Sequence, residues 1–272
     1  MGVIAARSRA RATPQTWPGA VLVPAGMLFS VAAAIAVAAL LIVFAWREAA
    51  FVLTAPSPQG VAGALARTLE LLALSLPLTL IAGFFAAAAL WDVRIGGRVA
   101  RPFAAALRVG AGMPPIVVGA ALWLAFKLLG LPFSVWSAAL ALVLLNAPRL
   151  SAWALHTVQL APQALQEAAA AAGADPAFIL FGVVLPALRR EVWAIVARTA
   201  AQIAGQAAVL VLVFPTSAGS EPLALQIWHF ASNPSLLGVT AAQSLALVVL
   251  VAAFAVIAEV VSSHPGYRRP EL

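Results

Sequence analysis

The sequence predicts an all-α protein that crosses a membrane about six times. Of its 272 residues, 64% are apolar and only 9% are charged, and the mean hydropathy is +1.02. Because a soluble domain carries roughly 25% charged residues, this chain has too few charges to cover a surface in water. The composition therefore predicts a polytopic membrane protein, with the lipid bilayer as its solvent.

Six segments are apolar over the length of about 20 residues that a membrane-spanning helix needs. They are Val21–Phe44, Ala64–Leu90, Pro102–Leu129, Phe133–Leu155, Val192–Phe214 and Leu236–Val261. These segments divide the chain into a tail over residues 1–20, a first membrane helix over 21–44, a core with five membrane helices over 63–262, and a tail over 263–272.

Two of the predicted spans have features of their own. The first span follows an arginine-rich start, so a cleaved signal peptide is an alternative, although its apolar run is long for one. The third span contains Pro114 and Pro115. Proline removes a backbone donor and disturbs the helix before it, so we predict a kink in that span.

Arginines concentrate in every second connection between the predicted spans. One set of connections and tails contains Arg7, Arg9, Arg11, Arg94, Arg98, Arg101, Arg189, Arg190, Arg268 and Arg269. The other set contains only Arg47, Arg67 and Lys127. Because Lys and Arg accumulate on the cytoplasmic side, both termini and the connection between the fourth and fifth spans are predicted to be cytoplasmic.

Several classes of function are disfavoured by what the sequence lacks. It has no cysteine, and His156, His229 and His264 are too far apart in sequence to form a ligand motif. The spans contain no Ser/Lys pair, paired aspartates or HExxH pattern. The net charge of +7 forms no basic groove alternating with aromatic residues. We therefore predict no catalytic residue, metal or cofactor, and no nucleic-acid partner.

The connection over residues 162–186 is predicted to be a helix, a glycine turn and a second helix. The run from Gln163 to Ala172 is rich in strong helix formers, and Gly173 is placed to end it in a left-handed cap. Asp175 is placed to cap a second helix, with Pro176 at its first position. On these grounds alone, the segment could also be an amphipathic surface helix with an ordinary glycine cap.

The spacing in this connection resembles that of ABC importer permeases, which carry EAA-x3-G-x9-I-x-L-P between two membrane helices. Here the order is Glu-Ala-Ala, three residues, Gly, nine residues, Val, one residue and Leu-Pro. In that family the segment forms a coupling helix that docks on an ATPase subunit, which alone hydrolyses ATP. A membrane scaffold would leave the spacing unexplained. The resemblance implies a coupling role for Glu167, Ala168, Ala169, Gly173, Asp175, Leu185 and Pro186.

Further segments resemble the permeases of phosphate ABC importers. They are GMPPIVVG at Gly112–Gly119 and LALQIWHFASNP at Leu223–Pro234, and the likeness extends over roughly Gly63 to Val261. It implies a phosphate permease in a bacterial inner membrane. It also implies three partners: the ATPase subunit, a second, non-identical permease, and a periplasmic or extracellular substrate-binding protein.

The charged positions that this family has near the anion path differ in this chain. Gln202 and Gln206 occupy the positions of a usual Arg and Glu in the fifth span. Arg149 and Arg198 lie one turn from altered positions, and guanidinium groups bind phosphate oxygens well. We predict that Arg149 and a polar stripe of Arg198, Gln202 and Gln206 line the path. The alternatives are that Arg198, and also Arg149, snorkel to the cytoplasmic surface, and that the cargo is another oxyanion or a small organic solute.

Overall fold

The computed structural model describes residues 61–91, 93–159, 163–175, 178–214 and 221–262, with scattered residues between 32 and 46. The predicted tails, 1–20 and 263–272, lie outside the described residues, as does nearly all of the first predicted span. The described residues form helices and no strand. The prediction of an all-α membrane protein is therefore confirmed.

The helices follow one another with short connections. They are α1 Val61–Trp91, α2 Val93–Gly112, α3 Pro115–Leu128, α4 Val135–Gln159, α5 Gln163–Ala171, α6 Arg189–Ala204, α7 Ala207–Val213, α8 Leu223–Phe230 and α9 Leu237–Ser262. A π-helix, Ile179–Val184, precedes α6. By length and composition, α1, α4 and α9 can each cross a membrane, and the bent pairs α2–α3 and α6–α7 reach that length as pairs.

Helix α4 lies at the centre of the described bundle and packs against α1, α2 and α6. Its buried face combines the small residues Ala138 and Ala141 with Leu142 and Leu145. Small residues let helices in lipid approach closely, and the leucines between them fill the remaining space. The apolar core built on this face continues onto α1, α6, α7 and α8.

The third predicted span consists of two helices that meet at a bend of 106°. We predicted only a kink there. The residue before a proline prefers an extended backbone, and Pro114, which precedes Pro115, has φ −61° and ψ 137°. The doubled proline therefore ends α2 and starts α3 in a new direction, as a broken or re-entrant segment.

The fifth predicted span is also broken, with α6 and α7 bent by 53°. Helix α6 ends at Ala204, and Gln206 has a non-helical φ of −83° and ψ of 86°. The predicted polar stripe is therefore interrupted, because Arg198 and Gln202 lie on α6 while Gln206 lies in the bend. Our prediction assumed one continuous helix, whereas Gly205, a poor helix former, marks its end.

Helices α1 and α4 approach closely at Gly83, where an added Cβ would clash with the side chain of Leu150. We expect Gly83→Ala to destabilise the protein by about 1–3 kcal/mol, because extra atoms in a packed interface force side chains and backbone to shift. The measurement is the thermal unfolding midpoint of the purified protein in detergent. Gly112→Ala is the control, since a Cβ there meets nothing within 4 Å. Equal midpoints for the two variants would contradict this packing.

Candidate coupling and translocation site

Helix α5 ends in a glycine turn. Gly173 has φ +80°, a backbone region that costs glycine little and strains other residues. Its N–H donates to the carbonyl of Ala170 at 3.0 Å, and the N–H of Ala174 donates to the carbonyl of Ala169 at 3.1 Å. This pair of bonds is a Schellman motif, which satisfies carbonyls at the end of a helix. The left-handed cap predicted at Gly173 is present.

The segment after this turn contains a π-helix that the sequence did not predict. The N–H of Ile179 donates to the carbonyl of Asp175 at 2.9 Å, so helical bonding begins at Asp175. The π-helix then runs over Ile179–Val184, and the N–H of Leu185 bonds to the carbonyl of Leu180, five residues earlier. Pro186 follows within a short helical turn that leads to α6. π-Bulges of this kind are frequent at functional sites.

The predicted coupling segment, residues 163–175 and 178–186, packs on the bundle with one side and is exposed on another. Ala169 and Ala174 pack against an apolar cluster made by Val158 of α4 together with residues of the π-helix. By contrast, several of the predicted coupling residues are exposed: Glu167, Ala168, Gly173, Asp175 and Pro186. The segment therefore presents small and polar side chains on its surface, while Ala169 and Ala174 hold it against Val158 of α4 and the π-helix.

Arg149 reaches from α4 to the bend between α2 and α3. Its Nε donates to the carbonyl of Ala111 at 3.2 Å, and its Nη2 donates to the carbonyl of Met113 at 3.3 Å. Two of the five guanidinium N–H groups are therefore used by backbone oxygens. The sequence predicted Arg149 as a path residue and gave no prediction of this contact with the bend. The signal in the sequence was the Pro114–Pro115 pair, which removes two backbone donors.

The other predicted path residues lie on and just after α6. Arg198 is exposed, and Gln202 and Gln206 are half-buried. Among the described residues, no hydrogen bond or ion pair joins Arg149 to any of these three. The structure therefore places the four residues in two groups, one at the α2–α3 bend and one along α6 and its bend.

Buried amide side chains occupy other positions in the bundle. Nε2 of Gln243 on α9 donates to Oε1 of Gln226 on α8, and both residues are buried. Asn146, one turn before Arg149, is also buried, and its Nδ2 donates to the carbonyl of Leu142 at 2.8 Å. Its Oδ1 has no hydrogen-bond partner among the described residues. Sequence reasoning missed Asn146, although a lone amide in an apolar span was a visible signal.

An apolar groove of about 460 Å³ lies between α1, the π-helix and α6. Phe84, Phe85, Phe181 and Trp193 line it, and Arg189 is the charged member of its lining. None of the predicted path residues lines it. Its chemistry suits an acyl chain or an apolar helix, and it offers too few polar groups for an oxyanion.

The family profile of the binding-protein-dependent transport system inner membrane component matches residues 79–264. This match covers more than half of the chain and includes both the coupling segment and the broken spans. The chain therefore belongs to the family of inner membrane components of binding-protein-dependent transport systems.

Solved structures of ABC transporters share the fold. The MetNI methionine ABC transporter, in inward-facing conformations, matches with a TM-score of 0.59 and 20% identity over 72% of this chain and 93% of that chain. A bacterial alginate ABC transporter, in complex with an alginate pentasaccharide-bound periplasmic protein, matches with a TM-score of 0.66 and 13% identity, over 90% of this chain and 93% of that chain. A comparison with curated protein sequences gives no match.

The glycine turn makes a local prediction. In Gly173→Ala, we expect the amides of residues 173 and 174 to exchange with deuterium roughly fivefold faster, because a side chain at positive φ costs about 1 kcal/mol. Gly173→Asn is the matched variant, since Asn tolerates this conformation better, and its exchange should lie between those of Ala and the wild type. Unchanged exchange in Gly173→Ala would show that the turn does not depend on glycine.

Proposed function

We propose that this chain is the transmembrane permease subunit of an ATP-driven ABC importer for inorganic phosphate, similar in role to the phosphate permease subunit PstA. Membership of the family gives the transport class. The cargo rests on the likeness of Gly112–Gly119 and Leu223–Pro234 to phosphate permeases. The similar solved structures carry methionine and alginate in their names, but at 20% and 13% identity they support the fold alone.

The observation that carries the coupling role is the anchored helix α5 with Glu167 and Ala168 exposed. In our proposal an ABC ATPase subunit receives this surface in a cleft. When ATP closes the ATPase subunits, the displacement of α5 passes through Ala169 to Val158 of α4, and to Leu180 of the π-helix that leads into α6. A packed cluster transmits such a movement because protein interiors are densely packed and barely compressible.

The remaining parts of the importer are proposed from the same family pattern. A second, non-identical permease completes the path, and a periplasmic or extracellular binding protein delivers the solute. ATP hydrolysis resides in the ATPase subunit, so this chain is a transport subunit without catalytic residues of its own. The distribution of arginines supports cytoplasmic N- and C-termini.

In this proposal, Arg198 and Gln202 on α6 give the path a positive and polar wall. An arginine within a membrane segment is costly and generally faces the bundle interior or a water-filled cavity, and a guanidinium binds phosphate oxygens in a bidentate way. Arg149 is also a predicted path residue, and it has donors beyond the two that bind carbonyls. Gln202 and Gln206, which stand where the family has charges, favour the alternative cargo of another oxyanion or a small organic solute.

Uptake of radiolabelled phosphate tests the cargo. We expect saturable, ATP-dependent uptake in cells without their own high-affinity system when the chain is co-expressed with its partner permease, ATPase and binding protein. Arg198→Leu should lower uptake roughly tenfold to a hundredfold, because a hydrogen bond to a charged group contributes about 1.5–3 kcal/mol. Arg190→Leu, which removes an exposed charge near the start of α6, is the control. An assembled, ATP-hydrolysing complex without phosphate uptake would assign the cargo to another solute.

Co-purification of the ATPase tests the coupling surface. Glu167→Ala removes an exposed carboxylate from α5 and should weaken capture of the ATPase by the tagged permease several-fold, since rim charges stabilise and orient such interfaces. Glu259→Ala removes an exposed carboxylate from α9 and should leave capture unchanged. If both variants retain the ATPase equally well, the docking surface lies elsewhere.

A further inference from the structure

The doubled proline leaves backbone carbonyls at the α2–α3 bend without their usual donors. In a continuous helix, the N–H groups of residues 114 and 115 would donate to the carbonyls of Gly110 and Ala111. Both residues are proline and have no N–H. The carbonyl of Gly110 instead accepts from the N–H of Met113 at 3.3 Å. The carbonyl of Ala111 needs a donor from elsewhere, because an unsatisfied backbone group within a membrane is energetically costly.

Arg149 of α4 supplies that donor. Its Nε donates to the carbonyl of Ala111, and its Nη2 donates to that of Met113. These carbonyls belong to the last turn of α2 and to the residue immediately before Pro114, so a single guanidinium holds both the helix end and the bend. Carbonyls at a helix C-terminus carry partial negative charge and attract cations, which strengthens the contact.

The contact lies where α2 and α4 are already close. A Cβ added at Gly110 would lie 3.1 Å from Cγ of Pro148, the neighbour of Arg149. The buried Asn146 lies one turn before Arg149 on the same helix. Steric packing at Gly110 fixes the distance between the helices, and the directional hydrogen bonds of Arg149 fix the orientation of the α2 end.

Helix α4 connects this bend with the coupling segment. Val158, nine residues after Arg149 and therefore about 14 Å along the helix, belongs to the cluster on which Ala169 of α5 packs. A displacement of α5 therefore acts on α4, and Arg149 is the side chain through which α4 holds the end of α2.

We propose that Arg149 is a positioning residue that fixes the bend of the third span to α4, so that movement of the coupling helix reorients this broken span. The transport part of this proposal rests on the proposed function. The contrasting role is a direct ligand of the transported anion. The two roles differ in chemistry, because a positioning residue needs N–H donors toward carbonyls, whereas an anion ligand needs positive charge.

Two substitutions separate these roles in the assembled transporter, and a third is their control. Arg149→Met removes charge and donors, and Arg149→Gln retains two amide N–H donors without charge. Arg149→Lys retains the charge together with three N–H donors, so it should support uptake in either role. For a positioning residue we expect Arg149→Met to lower the maximal rate of phosphate uptake at least tenfold. The phosphate concentration that half-saturates uptake and the rate of ATP hydrolysis should each stay within twofold of wild type. The maximal uptake rate of Arg149→Gln should be at least threefold higher than that of Arg149→Met. The matched pair Arg198→Met and Arg198→Gln should show no such recovery.

A distance measurement tests the positioning role without any cargo. The chain has no cysteine, so Gly112→Cys and Leu128→Cys give specific spin-label sites at the end of α2 and the exposed end of α3. We expect a narrow distance distribution between the labels with Arg149, a broad one with Arg149→Met, and an intermediate width with Arg149→Gln. Partner subunits for this experiment carry no accessible cysteine.

The results of these experiments distinguish a failure of the positioning role of Arg149 from a failure of the proposed phosphate cargo. A raised half-saturating phosphate concentration at an unchanged maximal rate in Arg149→Gln would overturn the positioning role in favour of an anion ligand. A narrow label distribution in every variant would also overturn it. If the wild type takes up no phosphate, the proposed cargo fails, and the label distances still decide the role of Arg149. If Arg149→Met does not assemble, the half-saturating phosphate concentration and the label distances of Arg149→Gln decide it.

Discussion

The structure depends on one constraint, which is that backbone polar groups within a membrane must find partners inside the protein. Helix α9, which contains no proline, meets it by itself, because each interior amide bonds to the carbonyl four residues earlier. Helices α1 and α4 do so except at Pro77 and Pro148, which have no N–H. The two broken spans meet it in other ways. At the α2–α3 bend a guanidinium donates to the carbonyls of Ala111 and Met113. At the α6–α7 bend, the N–H of Gln206 turns back to the carbonyl of Ile203 at 3.2 Å.

The same constraint explains why α4 is central to the described bundle. It carries the arginine that binds the α2–α3 bend, and it packs against α6, which precedes the other bend. Its C-terminal end contributes Val158 to the apolar cluster on which α5 packs. In the proposed importer, this one helix therefore contacts the coupling segment and both discontinuous spans. Its small buried residues, such as Ala138 and Ala141, allow these neighbours to come close.

Features with a single local cause could be predicted from the sequence. Long apolar runs predicted α1, α4 and α9, and Gly173 predicted a left-handed cap because few other residues adopt positive φ without strain. Features that depend on how two elements meet could not. Pro114 and Pro115 predicted a disturbed helix, but the 106° bend also requires α3 to pack against α7 at Gly119, where a Cβ would lie 3.1 Å from the carbonyl oxygen of Val209. The predicted stripe of Arg198, Gln202 and Gln206 is interrupted for the same reason. The spacing of polar residues in the sequence does not show that helix α6 ends at Ala204.

The π-helix at Ile179–Val184 has a consequence for the length of this segment. A π-helix closes its hydrogen bonds over five residues where an α-helix uses four, so it stores one extra residue between Asp175 and Leu185. Each residue of an α-helix turns the chain by about 100°. Winding the same number of residues as an ordinary α-helix would rotate α6 by about that angle, so that Arg198 and Gln202 would face a different neighbour. The wide turn absorbs the extra residue locally, so the orientation of α6 depends on this segment remaining a π-helix.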